Sequence, residues 1–340
     1  MSEQSHVYVE GYKHISTVVE ETKTQMKKVR SGEIKPLFTS LQKETEYIGG
    51  YYPSDQIIIA GRTGCGKSAK VLHDVFDFVN PSINPYYHDK LIILFDSWEM
   101  PPWRLMLRSI SRNSELEVKA LLDYKQRLEE ERFQALLLIA DKFKKYPIYL
   151  STRSCTAIQW EENKKQAQGK FPTKTIVNIF DHTRLVLKGS EVQEESLIHG
   201  LMLAGMRLKN NFAMINIFLS QMNRNIEVNV SRDKMGTYTP VSSDIFGSDS
   251  CFQSSDIVIA LHRPGAYGVE KFENIPTGID LNDPDKQDDL LIECILKQRD
   301  GWTGNLLMKH NLAHNKIWDY PTITQQIAIS SDWFDNKQLK

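Results

Sequence analysis

Gly61, Arg62, Thr63, Gly64, Cys65, Gly66, Lys67 and Ser68 run consecutively and satisfy the spacing G-x-x-x-x-G-K-[ST]. Chance matches to that spacing in a chain of this size arise roughly once in a hundred. The chemistry is a polyphosphate grip. Glycines let backbone N–H groups curl around a β-phosphate, and a helix beginning at that point adds the positive end of its dipole. Lys67 should reach the β- and γ-phosphates, the Ser68 hydroxyl should ligate Mg²⁺, and Ala69 continues the phosphate-binding stretch into the helix. The spacing by itself points to a bound nucleoside triphosphate.

A phosphate-bound Mg²⁺ keeps waters that an anion must accept. Asp181 closes the apolar run IVNIFD and supplies that carboxylate at a strand tip, where ligands gather in open α/β sheets. Hydrolysis also needs a group that orients and deprotonates water. Asp96 and Glu99 both lie in LIILFDSWEMP, and periodicity does not choose between them. Gln221, at the end of FLSQ, can hydrogen-bond a γ-phosphate or its attacking water.

Strands must hold these residues. Apolar runs occur at 57–60, 91–95, 176–180, 213–219, 257–261 and 291–296, with helical segments between them, including 114–145 and 194–209. Near-continuous runs of this kind fit strands buried on both faces, and the alternation predicts an α/β, doubly wound, mostly parallel sheet flanked by helices. Residues 15–33 have helical spacing with a thin apolar stripe of Ile15, Val18, Val19 and Met26, which fits either a solvated lead-in or a helix resting on another surface such as a neighbouring subunit. The expected division is an N-terminal segment, 1–35, and an ATPase domain, 36–340. Residues 222–255 are polar and lack clear periodicity, which predicts a long structureless loop, either functional or disordered.

Composition excludes several classes. Lys plus Arg total 42 and Asp plus Glu 43, so any nucleic-acid contact must come from local charge rather than net basicity. No apolar run reaches the roughly 18 residues of a membrane span, and the N-terminus has no signal-peptide core, which predicts a cytoplasmic protein without membrane contact. The four cysteines, Cys65, Cys155, Cys251 and Cys294, form no C-x-x-C pair, which argues against a disulfide framework and a zinc site.

Taken in order over about residues 15–320, the motifs resemble the motor domain of DnaB-type replicative helicases, a RecA-like ATPase. FTSLQKETEYIGGYYPSDQIIIAGRTGCGKS resembles that family's entry strand and phosphate loop, SWEM its serine-x-glutamate-methionine element, FDHTRLV its metal-binding aspartate motif and LSQMNRNIE its glutamine switch. The resemblance implies that Glu99, rather than Asp96, activates water. LKQRDGWTG resembles a late strand and turn whose basic residues reach across a subunit boundary, which implies trans-acting roles for Lys297 and Arg299. It further implies a linker helix within 15–33, a homo-oligomeric ring expected to have six members, and translocation on single-stranded DNA that unwinds duplex.

Departures from the family pattern shape the remaining expectations. Only some fourteen residues precede residue 15, so the helical domain that receives primase in the family is expected to be absent, as in a compact helicase of phage type. That leaves primase, polymerase or a loader as partners to consider. In the DNA-facing loop, where relatives carry Arg-Glu before a glycine turn, this chain has Phe246 and Gly247. DNA contacts are therefore expected from backbone amides, from Arg224, Arg232, Lys234 or Lys188, and from Phe246, Tyr238 and Phe252 as stacking surfaces. Two rival readings are a RecA-like recombinase forming open filaments, and a nucleotide-gated loading or scaffold subunit with little hydrolysis.

Overall fold

A computed structural model describes residues 10–321, apart from 115, 124, 126, 187–193, 234–235 and 284–285. The chain divides into two units, the boundary falling between Pro36 and Leu37. The strands are β1 (Gln56–Gly61), β2 (Leu91–Ser97), β3 (Ile148–Ser151), β4 (Thr175–Asp181), β5 (Ile215–Gln221), β6 (Ile257–His262), β7 (Lys271–Phe272), β8 (Ile275–Pro276), β9 (Leu290–Gln298), β10 (Gly304–Asn311) and β11 (Lys316–Asp319). In the first unit lies the helix α1 (Ile15–Arg30). The second holds α2 (Gln42–Ile48), α3 (Lys67–Phe78), α4 (Pro102–Arg112), α5 (Val118–Leu121), α6 (Glu130–Lys142), α7 (Ala157–Lys170), α8 (Glu194–Phe212), α9 (Asn225–Arg232) and α10 (Ser248–Ser254). Among these described residues no helix is long and apolar enough to cross a membrane.

One nine-stranded sheet, in the order β11-β10-β9-β6-β1-β5-β4-β2-β3, organises the described residues of the second unit. From β3 to β6 every neighbouring pair is parallel, whereas β9, β10 and β11 join antiparallel. The expected α/β sheet is therefore mixed, with an antiparallel flank. The reason is local: β9 and β10 are joined by the short turn at 299–303, which permits only a hairpin.

β1 shows how the two faces are built. Ile57 and Ile59 face a core shared with Val71, Leu72 and Val75 of α3, and Ile58 and Ala60 face a second core with Leu201 and Met202 of α8. Both faces being covered explains the unbroken apolar run. Asn178, which interrupts the run in β4, sits opposite Asn216 of β5 and donates to its Oδ1 at 2.9 Å, while Asn216 donates to the Gly205 carbonyl at 2.9 Å. That chain of bonds pairs both amide nitrogens and ties α8 to the sheet, while Asn178 Oδ1 has no hydrogen-bond partner among the described residues.

Two expectations about elements are corrected. The helical reading of 114–145 resolves into α5 and α6, with the chain between them turning where Asp123 Oδ1 accepts from the Lys125 N–H at 2.8 Å. The polar stretch 222–255 is not a long irregular loop. It contains α9, anchored by buried Ile226 and Val230, and α10, anchored by Cys251. An i, i+4 pair in an eight-residue helix is too brief to register as periodicity.

Candidate nucleotide site

Because β1, β2, β4 and β5 are parallel, their C-terminal ends open on one edge of the sheet, and Gly61, Ser97, Asp181 and Gln221 end those strands together. A cavity of about 550 Å³ lies there, lined among others by Lys67, Ser68, Glu99, Arg108, His182 and Gln221. The loop enters α3 through Gly64 at φ +80° and Gly66 at φ +101°, left-handed values that favour glycine, and the backbone of Gly66 is packed under Leu312. A Cβ at Gly61 would come within 2.2 Å of the Cys65 sulfur, so this glycine is required by the loop's own closure.

Thr63, Gly64, Gly66, Lys67, Ser68 and Ala69 line the cavity, as expected of the phosphate loop. Gly61, Arg62 and Cys65 do not: Cys65 is buried against Gly61 with its thiol pKa raised by burial, and Arg62 pairs with Glu227 of α9 and donates to the Met222 carbonyl at 3.2 Å. Lys67 Nζ donates to the carbonyls of Gly61 at 2.7 Å and Arg62 at 3.1 Å. Gln221 Nε2 donates to Thr63 Oγ1 at 2.8 Å, while its backbone carbonyl accepts the Phe246 N–H at 2.9 Å. The glutamine thus joins the phosphate loop to the 222–255 region through its side chain and its backbone.

Asp96 and Glu99 part company. Asp96 is buried, accepts the Trp160 indole N–H at 2.8 Å and pairs with Lys164 at 2.7 Å, away from the cavity. Glu99 lines the cavity, 52% exposed, with His182 Nε2 at 3.8 Å. The turn that aims it is well held: the Trp98 N–H donates to the Asp181 carbonyl at 3.1 Å, and the Ser97 hydroxyl donates to the Met100 carbonyl at 2.6 Å.

Asp181 is buried, and its Oδ2 has no hydrogen-bond partner among the described residues, while Ser68 hydrogen-bonds the carboxylate. Burial, then the charge of Glu99, push its pKa up to about 6, against Lys67, Arg108 and the Ser68 bond, which pull it down. A hydroxyl and an under-satisfied carboxylate, both hard oxygen donors, fit a divalent cation such as Mg²⁺. Arg108 was not singled out by sequence reasoning. It reaches the cavity from α4, close enough to Asp181 and Glu99 for their charges to act on it. Its only sequence signal is an arginine on the helix that follows Glu99.

The basic pair lies elsewhere. Since β9 runs antiparallel to β6, Lys297 sits opposite Val258 near the start of β6. The Arg299 N–H donates to the Asp256 carbonyl at 2.9 Å, and the Asp256 N–H donates to the Gln56 carbonyl at 2.8 Å. Arg299 is thereby level with Gln56, five residues before Gly61, or roughly 17 Å from the phosphate loop at strand rise. Its guanidinium, 54% exposed, pairs with Asp256 at 3.3 Å. Lys297 Nζ donates to the Phe252 carbonyl.

The expected DNA surface is only partly assembled. Arg224 and Arg232 are exposed at the two ends of α9; Lys188 and Lys234 lie outside the described residues. Phe246 is packed on the second core with the Arg184 guanidinium 4.3 Å over its ring, and Tyr238 OH donates to Asp244 at 2.6 Å. Both aromatics are half-buried and engaged in local packing, and Phe246 also borders an open pocket with Gly247. Gly247, at φ +65°, caps the start of α10.

The family model of the DnaB-like helicase C-terminal domain matches residues 16–319. A "Probable replicative DNA helicase" of Trieres chinensis is 28% identical over 275 residues, covering 80% of this chain and 54% of that protein. The replicative DNA helicase DnaB of Geobacillus stearothermophilus is 24% identical over 315 residues, covering 90% of this chain and 62% of its own. The chain spans about half the length of the curated relatives it matches. In fold it is similar to a separately solved ATPase domain, with TM-score 0.73 at 17% identity over 92% of this chain and 100% of that one. A DnaB-like replicative helicase solved with attention to its interactions with primase gives TM-score 0.71 at 17% identity, over 89% and 66% of the two chains. With a family match that takes in every strand from which the cavity is built, this chain belongs to the DnaB-like helicase C-terminal domain family.

Proposed function

We propose that this chain is the motor of an ATP-driven DNA helicase that works as a ring, expected to be hexameric, translocating on single-stranded DNA with each nucleotide between neighbouring copies. The observation that carries this reading is the separation of Lys67, Ser68, Glu99, Asp181 and Gln221 on one sheet edge from Lys297 and Arg299 on the other. A chain cannot fold that roughly 17 Å away, so a basic pair acting on phosphate must act on another copy's. Such a head-to-tail contact closes into rings when its rotation permits.

In this mechanism the N–H groups around Gly64 and Gly66 and the ammonium of Lys67 hold the β- and γ-phosphates. Ser68 and Asp181 would hold Mg²⁺, which draws negative charge off the phosphate oxygens when bound. Glu99 accepts a hydrogen bond from the attacking water and takes its proton. Arg108 adds a cation from the chain's own α4. Arg299, with Lys297, supplies charge from the neighbour as it develops on the transferring phosphoryl group, an effect worth about 10³ to 10⁵ in rate in other phosphoryl-transfer enzymes. Gln221 links occupancy at Thr63 to the backbone of Phe246, and through it to the region carrying Arg224, Arg232 and Gly247, where DNA contact is expected. α1, whose Ile15, Val18, Val19 and Met26 are all exposed, is suited to rest on the next copy.

ATP turnover measured against protein concentration, with and without single-stranded DNA, tests this reading. Turnover per chain should climb with concentration to a plateau and be stimulated by DNA. Turnover per chain that is unchanged by dilution would remove the shared site. Rates indifferent to DNA would favour the scaffold reading, and indefinite filaments under the electron microscope with ATP and single strands would favour the recombinase.

A further inference from the structure

The turn that carries Arg299 also presents an aromatic pair. Trp302 packs tilted against Tyr47, with ring centroids 4.6 Å apart and planes at 37°, and the two remain 38% and 43% exposed. The pair is held in place from several sides. The Cζ2–Cη2 side of the indole lies against Gly304, where an added side-chain carbon would come within 2.1 Å of the ring. The last residue of β9, Gln298, donates through Nε2 to the carbonyl of Ile48, the neighbour of Tyr47 in α2, at 2.8 Å. Two large rings fixed against each other, half open to solvent and three residues from a guanidinium, form a ready surface for a flat partner.

A second observation comes from the opposite edge of the sheet. The cavity around Lys67 offers Met100, Val118, Leu312 and Ala313 as apolar lining, and no Phe, Tyr or Trp ring borders it among the described residues. A nucleotide held there by its phosphates can rest one face of its base on those aliphatic groups, leaving the other face without a large π surface from its own chain.

We infer that Trp302, backed by Tyr47, is a nucleobase platform acting in trans, stacking on the base of the nucleotide whose phosphates a neighbouring copy holds. This rests on the shared-site reading above, since Arg299 and Trp302 share one turn and would enter the neighbour's site together. Arg299 would meet the phosphate end and the indole the base end. Selectivity then follows from chemistry: the platform rewards any planar base and contributes nothing to a bare polyphosphate chain.

The test uses the full chain with W302F, W302L and R299A variants, reading KM for ATP alongside inhibition of ATP hydrolysis by inorganic tripolyphosphate. W302L keeps apolar volume over Gly304 but no π face. It should raise KM for ATP about tenfold, in line with base–aromatic stacking elsewhere, and leave the tripolyphosphate inhibition constant unchanged. W302F should stay within about twofold of the parent chain, because it keeps a ring. If W302L shifts both constants together, the turn has merely been deformed; if it shifts neither, no base meets the indole. Either result overturns the platform while R299A still reports on the shared site. Full hydrolysis by R299A would instead remove the shared site and the platform with it.

Discussion

Asp96 and Glu99 are three residues apart and chemically alike, yet their surroundings are opposite. Asp96 is held by an indole N–H and the Lys164 ammonium, with Lys164 itself buried. Glu99 stands at the cavity with an acceptor to spare. Replacing Glu99 by Gln keeps shape and removes the proposed base, so turnover should fall by about 10² to 10⁴ while nucleotide affinity, read by titration, stays near that of the parent chain. Asp96→Ala should do the reverse. It strands a buried ammonium, and unfolding in urea should show a loss of about 3–5 kcal/mol, with the folded fraction still hydrolysing ATP. Retained turnover in E99Q, or a D96A chain as stable as its parent, would undo the assignment. In the sequence both carboxylates follow the same apolar run, 91–95, and what separates them is contact with Trp160 and Lys164, more than sixty residues on. No local pattern carries that information.

α3, α2 and β9 meet at a buried ionic cluster one helical turn beyond Lys67. Lys70 Nζ lies 2.7 Å from Asp74, 2.9 Å from Glu44 and 3.4 Å from Glu293, all of them buried, and Tyr51 OH donates to Glu44. One ammonium cannot neutralise those carboxylates together. Asp74 accepts two bonds from Lys70, whereas neither oxygen of Glu293 has a hydrogen-bond partner among the described residues. Burial, with Glu44 and Asp74 adding repulsion, holds the pKa of Glu293 well above the ordinary value of 4.5, so the folded chain keeps a proton that the unfolded chain releases. No penalty exists below the unfolded pKa, and stability falls as pH rises from there toward the folded pKa, by at most about 1.4 kcal/mol per pH unit for one proton. Urea midpoints should therefore drop as pH rises above the ordinary glutamate range, and Glu293→Gln should flatten that slope; an equal slope in the variant would show that Glu293 is ionised in the fold. At this scale the runs in β1, β2, β4, β5, β6 and β9 were legible because burial on both faces leaves continuous apolar sequence. β3 is a four-residue edge strand, half of β10 is polar, and α9 spans barely two turns, so none of them carries a long enough pattern.

Considered as a whole, the second unit is a sheet with two chemically unlike edges, a phosphate grip on one and a cationic, aromatic turn on the other. The mixed topology is what separates them. Had β9 run parallel to β6, Lys297 and Arg299 would have ended beside Lys67 in the same chain. An arrangement of this kind makes a prediction that no single variant can. K67A loses the grip but keeps its turn, and R299A loses the turn but keeps its grip, so each alone should be nearly inactive. Mixed in equal amounts and allowed to assemble, about a quarter of the head-to-tail interfaces would pair an intact grip with an intact turn. ATP hydrolysis should then reappear at up to about a quarter of the parent rate, rising with the time allowed for exchange. Recovery requires that the sites are shared, with the grip of one copy meeting the turn of another. If each chain completes its own site, no mixing ratio restores activity. If the two edges met in a twofold contact with themselves, grip would face grip and turn would face turn, and the mixture would remain as inactive as its parts.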